Sequence, residues 1–273
     1  MTTVDTGTRD KHRSSVTNAT TIRGFSPSQR PPQPRVSVVI PTLNEAQNLP
    51  HVLSKLPAWT HELVLVDGNS TDRTVEVARE EYPTVRIIGQ SGRGKGNALA
   101  AGFAACTGDI IVMIDADGSQ DPYEIEHFVA ALVAGADFAK GSRFIDGGGS
   151  TDITFARRLG NLFFTKLANR LYRSSYSDLC YGYNAFWRDC LPVINVDCDG
   201  FEVETLINVR IAKAGLTVTE VPSFETPRLY GESNLSAVRD GLRVLRTLFQ
   251  ERAKPSRPER TMTRDEPTTP RPA

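Results

Sequence analysis

The chain has 273 residues, with 32 Lys and Arg set against 32 Asp and Glu, and 39% of it is apolar. Balanced charge excludes a global pull toward nucleic acid, and the apolar fraction is enough for a packed core. Cys106, Cys180, Cys190 and Cys198 form no C-x-x-C pair and the four histidines are scattered, which argues against zinc or a disulfide framework and for a reducing cytoplasm.

In chain order, the opening MTTVDTGTRDKHRSS carries no apolar stretch of the kind a secretory signal needs. Residues 1–35 and 251–273 hold nine of the 17 prolines and are rich in Ser, Thr, Arg and Gln. Such segments bury too little apolar surface to offset their chain entropy, so both are expected as disordered tails around one domain at 36–250. Val36–Ile40 is a continuous apolar run, as expected of a strand buried on both faces. A helix is expected from Asn44 through Leu56, then a second buried strand at Leu63–Val66. Ser70 or Thr71 can cap the helix that carries Val75, Val77 and Ala78. Val85–Ile88 reads as a third strand, Asn97–Ala105 as a small-residue helix and Ile110–Ile114 as a fourth strand. A helix over Pro122–Ala134 and a strand at Asp137–Lys140 follow. This alternation predicts an α/β fold, with a doubly wound, mostly parallel sheet and flanking helices. No apolar run reaches the ~18 residues of a membrane span.

Ligands bind such sheets at the carboxyl ends of the strands. The early strands here end in PTLNE, DGNSTD, GQSGRGKG and DADGSQD, which places one site on one sheet edge. Gly89, Gly94 and Lys95 match G-x-x-x-x-G-K, but Gly96 stands where a phosphate loop needs Ser or Thr. The spacing of Gly92, Gly94 and Gly96 also fails the dinucleotide fingerprint. The glycines still require a tight turn or a close backbone approach. Asp115 and Asp117 are two apart at a strand end, so both carboxylates can face one ion. Oxygen ligands alone suit Mg²⁺ or Mn²⁺ held with waters and a substrate diphosphate. Asp121 directly precedes Pro122 and reads instead as a helix cap.

VSVVIPTLNE, LVDGNSTDRT, GRGKGNALAAGF, DADGSQDP, GSRF and DLCYGYNAF occur in the order found in family 2 glycosyltransferases of the GT-A fold. Over 36–236 the chain most resembles the dolichol-phosphate mannose synthase-like, polyprenyl-phosphate glycosyltransferase group. The resemblance implies inverting transfer of a sugar from a GDP- or UDP-sugar, with Mg²⁺ or Mn²⁺. Pro41, Asn44 and Glu45 would line the nucleoside pocket, and Asp67 would hydrogen-bond the base. Lys95 and its glycines would lie by the base and ribose. Asp115 and Asp117 would meet ribose and metal, and Arg228 the diphosphate. Arg143 and Arg158 would lie toward an acceptor phosphate. The chain departs from the family pattern at Gly68, Ser119, Asn184 and Asn234. The last two stand where relatives carry a cation, which keeps a neutral acceptor open beside polyprenyl phosphate.

A phosphate acceptor needs no base, whereas a hydroxyl needs a carboxylate. Asp178 is the first candidate, before a Gly/aromatic turn, with Glu202 and Glu204 behind it. Cys180 lacks a histidine partner and reads as packing rather than as a nucleophile. Helices are expected at Arg157–Arg173 and Leu235–Gln250. The second carries Leu235, Val238, Leu242, Leu245 and Phe249 on one side, with Arg239, Arg243 and Arg246 on another. That pattern fits peripheral contact with the inner face of a membrane, or packing against the domain or a second subunit in a homodimer.

Overall fold

The computed structural model describes residues 30–232 and 235–255. Its centre is a seven-stranded sheet in the order β3-β2-β1-β4-β7-β5-β8. The strands are β1 (Val36–Thr42), β2 (Glu62–Asp67), β3 (Arg86–Gly89), β4 (Ile110–Met113), β5 (Phe138–Ser142), β7 (Asn184–Trp187) and β8 (Val218–Pro222). Only β7 runs against the others, pairing antiparallel with both β4 and β5. The continuous apolar runs of β1, β2 and β4 are wholly buried, which is why they read as unbroken rather than alternating. A two-stranded ribbon, β6 (Gly149–Ser150) with β9 (Phe224–Glu225), lies apart from the sheet.

The crossovers are α1 (Leu49–Leu53), α2 (Thr74–Glu81), α3 (Gly94–Ala105) and α4 (Ile125–Val133). The later helices are α5 (Phe155–Tyr172), α6 (Leu191–Ile194), α7 (Val203–Lys213) and α8 (Ala237–Ala253). The main core is the sheet with α3 and α4 packed on it; a smaller cluster joins Ala168, Tyr176, Leu179, Val209, Val244 and Leu248. The mostly parallel sheet with flanking helices is the expected architecture.

The helix expected at Asn44–Leu56 is cut to Leu49–Leu53. Asn44 sits at φ +58°, a left-handed conformation that cannot begin a helix, and its loop is tied instead to the next strand's loop. Both expected domain borders also move outward. Arg30 pairs with Asp137 at 2.8 Å and stacks over Trp187, and α8 continues to Ala253. The remainder of the two expected tails lies outside the described residues, as does Asn234.

Candidate active site

The strand order reverses between β1 and β4, and the crevice outside their carboxyl ends holds an open cleft with a cavity volume of about 200 Å³. Pro41 to Leu43 and Glu45 come from the end of β1, and Gly68 from the end of β2. Asp115, Ala116 and Asp117 come from β4, and Gly94, Lys95 and Ala98 from the start of α3. Gln90, Phe201 and Arg228 complete the lining. The segment around Arg228 is strapped over the mouth: the Leu229 amide donates to the Asp117 carbonyl at 3.1 Å, and the Tyr230 amide to Asn48 Oδ1 at 3.0 Å.

The glycines before α3 do approach another backbone. Gly94 has φ +85°, and a Cβ there would lie 2.1 Å from the Asp199 carbonyl oxygen. At Gly96 a Cβ would come within 2.3 Å of the Cys198 carbonyl oxygen, and its amide donates to Asp199 at 2.9 Å. The start of α3 is therefore seated on the 198–200 loop, and this seat points Lys95 into the cleft.

Charge in the cleft is shared. Lys95 Nζ lies 2.6 Å from Asp115 Oδ1 and 2.7 Å from Glu204 Oε1. Burial alone would lower the Lys95 ammonium, but the two adjacent carboxylates outweigh it and hold it well above the ordinary lysine range. Arg228 pairs with Glu45 and reaches Asp117 Oδ2 at 3.7 Å. Burial pushes both Glu45 and Glu204 up, against the pull of their partners. Asp115 is oriented by Gln120, whose Oε1 accepts from the Asp115 amide at 3.0 Å. The Ser119 amide caps Asp117 Oδ1 at 3.0 Å.

No cluster of three or more His, Cys, Asp or Glu side chains in metal-ligating array occurs among the described residues. The donor set nonetheless fits a divalent ion. Four carboxylates (Glu45, Glu204, Asp115, Asp117) share two cations (Lys95, Arg228), a surplus of two negative charges at the cleft wall. Asp115 and Asp117 are hard oxygen donors that would hold Mg²⁺ or Mn²⁺ with diphosphate oxygens and water completing the shell. Such an ion supplies neutralisation of charge on a departing diphosphate.

The other sequence candidates fall in two places. Asn44 and Asp67 stand beside the cleft but do not line it. Asn44 Oδ1 accepts from the Thr71 amide at 2.8 Å, and Asp67 accepts from the Asn69 and Ser70 amides. The Asn44 bond, with the Ala46 amide on Asp72 and the Glu45 amide on Thr74, locks the PTLNE loop to the DGNSTD segment, while the Asp67 bonds fold that segment on itself. Arg143 and Asp178 lie farther along the sheet edge, closed on each other. Arg143 Nε donates to Asp178 Oδ2 at 2.7 Å, Nη2 to Oδ1 at 3.1 Å and Nη1 to Glu225 at 2.9 Å.

Asp178 is 0% exposed, and although burial would raise its carboxyl, Arg143 holds it below the usual range. The expectation of Asp178 aimed at substrate as a free base is corrected: both its oxygens are spent on Arg143. Arg143 in turn is not a free phosphate ligand. Its guanidinium and that of the exposed Arg158 flank the Phe144 ring at 5.5 and 5.6 Å from the centroid. Asn184 is wholly buried, and its cross-strand partner is Lys140, also buried, whose Nζ donates to the Gly141 and Tyr181 carbonyls.

Sequence reasoning ranked Glu204 only as a spare base and did not single out Gln90, Phe201 or Lys140. Glu204 and Phe201 come from the far side of the chain and meet Lys95 only through the seat of α3. The signal for Lys140 was a lone cation in an otherwise apolar strand.

Residues 37–193 match the family model described as glycosyl transferase family 2. The chain is 33% identical over 231 residues to the polyprenol monophosphomannose synthase of Mycolicibacterium smegmatis, covering 78% of this chain and 85% of that one. It is 33% identical over 213 residues to the dolichol-phosphate mannosyltransferase of Pyrococcus furiosus, covering 74% of this chain and 59% of that longer one. Among solved structures, it superposes with a TM-score of 0.65 on the glucosyl-3-phosphoglycerate synthase of Mycobacterium tuberculosis, in a complex with Mn²⁺, UDP and phosphoglyceric acid. That likeness holds at 23% identity, over 81% of this chain and 80% of the other, and concerns the fold.

Proposed function

This chain belongs to glycosyl transferase family 2, and from that premise we propose that it moves a sugar from a nucleotide diphosphate-sugar to polyprenyl phosphate at a membrane surface. The observation that carries the donor half is the acidic pair Asp115 and Asp117 at the β1/β4 crevice, facing Lys95 and Arg228 across one cleft. Two cations and a divalent ion suit a diphosphate leaving group, and Gly68 and Pro41 leave space for a base and ribose.

The acceptor half rests on α5 and α8, which pack together through Gly241 and Phe164. Their apolar side chains point outward. Phe155 is 82% exposed and Val238 78%, with Leu159, Leu162, Phe163, Leu242 and Phe249 also exposed. Their buried faces mix apolar Ala168, Val244 and Leu248 with polar residues, Asn161 and Thr165 on α5 and Asp240, Thr247 and Glu251 on α8. A helix on the surface of a water-surrounded domain ordinarily turns charged and polar residues outward, so the apolar outer side is what stands out. Exposed apolar side chains beside Arg158, Arg239, Arg243 and Arg246 suit an anionic bilayer surface and a lipid acceptor. No helix among the described residues is long and apolar enough to cross a membrane, so contact by these residues is lateral.

A phosphate acceptor is already a nucleophile, which agrees with an Asp178 whose oxygens are committed to Arg143. Arg158, exposed at the start of α5, is the residue assigned to that phosphate in this reading. Asn184 no longer speaks for a neutral acceptor, since its position is buried under Lys140.

The test is an acceptor screen with GDP- and UDP-sugars, Mn²⁺ or Mg²⁺, polyprenyl phosphate in anionic liposomes, and water-soluble alcohols. The expected product is glycosylated lipid phosphate, with the alcohols inert. Transfer to an alcohol alone would replace the lipid acceptor by a hydroxyl one. The protein should float with the liposomes, and Val238→Ser with Leu242→Ser should release it. Failure to float, with a dimer mass in solution, would assign the same faces to a second copy.

A further inference from the structure

We propose that Glu204 and Glu45 are positioning residues of the donor cleft: each anchors from behind the cation that an aspartate in front must release, so metal and diphosphate bind as a coupled pair. This rests on the reading of the cleft as a nucleotide-diphosphate and metal site, and deepens it.

The geometry is repeated on the two walls. On one, Lys95 bridges Asp115 at 2.6 Å and Glu204 at 2.7 Å. On the other, Arg228 bridges Asp117 at 3.7 Å and Glu45 in closer contact. The aspartate side chains are 28% and 24% exposed, toward the cleft; those of the glutamates are 5% and 8%, deeper in its wall. A buried cation with a single carboxylate cannot leave it without standing unpaired, which is costly. A cation with two carboxylates can give up one and stay paired. Lys95 and Arg228 can therefore turn to diphosphate oxygens while Asp115 and Asp117 turn to the ion.

Local packing supports that movement. Gly182 keeps the space around Lys95 clear, since a Cβ there would fall 2.9 Å from Nζ, 3.1 Å from Asp115 Oδ2 and 3.3 Å from Glu204 Oε1. Asn48 Nδ2 donates to Glu45 Oε2 at 2.6 Å, which fixes that carboxylate and leaves Oε1 to Arg228.

The experiment measures two affinities on the whole protein: Mn²⁺ without nucleotide, by electron paramagnetic resonance, and UDP or GDP without metal, by calorimetry. In Glu204→Gln, Lys95 is left with Asp115 alone and the cleft loses one negative charge. Mn²⁺ affinity should fall about tenfold, while metal-free nucleotide affinity should rise about threefold. Glu45→Gln should move both affinities the same way through Arg228. Damage to the fold would weaken both together, so the opposite signs identify the role.

A double-mutant cycle gives a second measurement. In a Lys95→Met background, Glu204→Gln should lower Mn²⁺ affinity by clearly less than it does with Lys95 present, because the part of its effect that passes through Lys95 is gone. Unchanged Mn²⁺ affinity in Glu204→Gln, both affinities falling together, or additive effects in the cycle would overturn the proposal while leaving the cleft's identity intact. Wild-type protein that binds neither Mn²⁺ nor nucleotide would overturn the reading of the cleft, and the proposal with it.

Discussion

Two clusters of charge stand on the same sheet edge and behave oppositely. In the donor cleft, four carboxylates share two cations and the aspartates face solvent. In the closed cluster, Arg143 is held by Asp178 at two atoms and by Glu225 at a third, all of them buried. The first is unbalanced and open, so it can take a charged ligand. The second is satisfied, so it can hold shape but has little left to bind with. Residue type alone does not separate them; the count of partners and access to water do.

The largest way to break the contrast is at the open cluster. Asp115→Ala or Asp117→Ala should lower transfer by at least about a thousandfold, as loss of metal-assisted charge stabilisation worth several kcal/mol implies. Their melting temperatures should match or exceed wild type, because surplus negative charge has been removed. A variant with near-normal turnover would mean the pair does not hold the ion.

At the closed cluster the loss should appear in stability instead. Asp178→Asn leaves Arg143 buried with one charged partner, and urea titration should show a loss of about 3–5 kcal/mol. Stability preserved alongside a collapse in turnover would return Asp178 to the role of base. The sign with pH follows from its depressed carboxyl. The pair's contribution is complete above the unfolded Asp value near about 3.9 and disappears as pH falls through the lower folded value. Acid unfolding of wild type minus Asp178→Asn would show it.

Gly94→Ala lies between the clusters in kind. It forces a Cβ into the left-handed region and against the Asp199 carbonyl, at a cost above about 2 kcal/mol. Nucleotide affinity should fall with it, since the seat that aims Lys95 is displaced; calorimetry with UDP and GDP reads that directly.

The effect spread most thinly over conditions sharpens the closed side. Burial pulls the Lys140 ammonium down to about 8. Between about pH 8 and 10.4 the unfolded chain therefore binds a proton that the folded one does not, and stability should rise by up to about 1.4 kcal/mol per pH unit from this group. The difference between wild type and Lys140→Met isolates it from the tyrosines and cysteines that titrate nearby. A flat difference curve would place water beside Lys140.

Much of the fold was legible because buried parallel strands read as VSVVI, LVLV and IIVMI, with polar loops at one end of each. The open cluster was legible in part, since Asp115, Asp117, Lys95 and Glu45 all sit in those loops. Arg228 was found through resemblance rather than through any local pattern. The pairing of Lys95 with Glu204 was not legible, because it depends on the seat of α3 on the 198–200 loop. Nor was the closing of Asp178 on Arg143, which joins a loop after α5 to the end of β5. For α5 and α8, periodicity marked helices and even the apolar side of α8. It could not say that this side faces outward, since that depends on what lies beyond the chain.

The reversed strand β7 has a consequence in time. A ribosome releases β1 through β4 in order, and these strands pair with one another in parallel without waiting for later chain. Asp115 and Asp117 thus emerge on a half-sheet whose outer neighbour, β7, is still unmade, and Glu204 and Arg228 arrive later still. Until then Asp117 lacks Arg228, and Lys95, though already made, lacks the 198–200 seat that aims it at Asp115. The donor cleft is the first part of the molecule to be outlined and the last to be finished, so nascent chains stalled before Arg228 should resist protease over the first four strands yet fail to retain nucleotide.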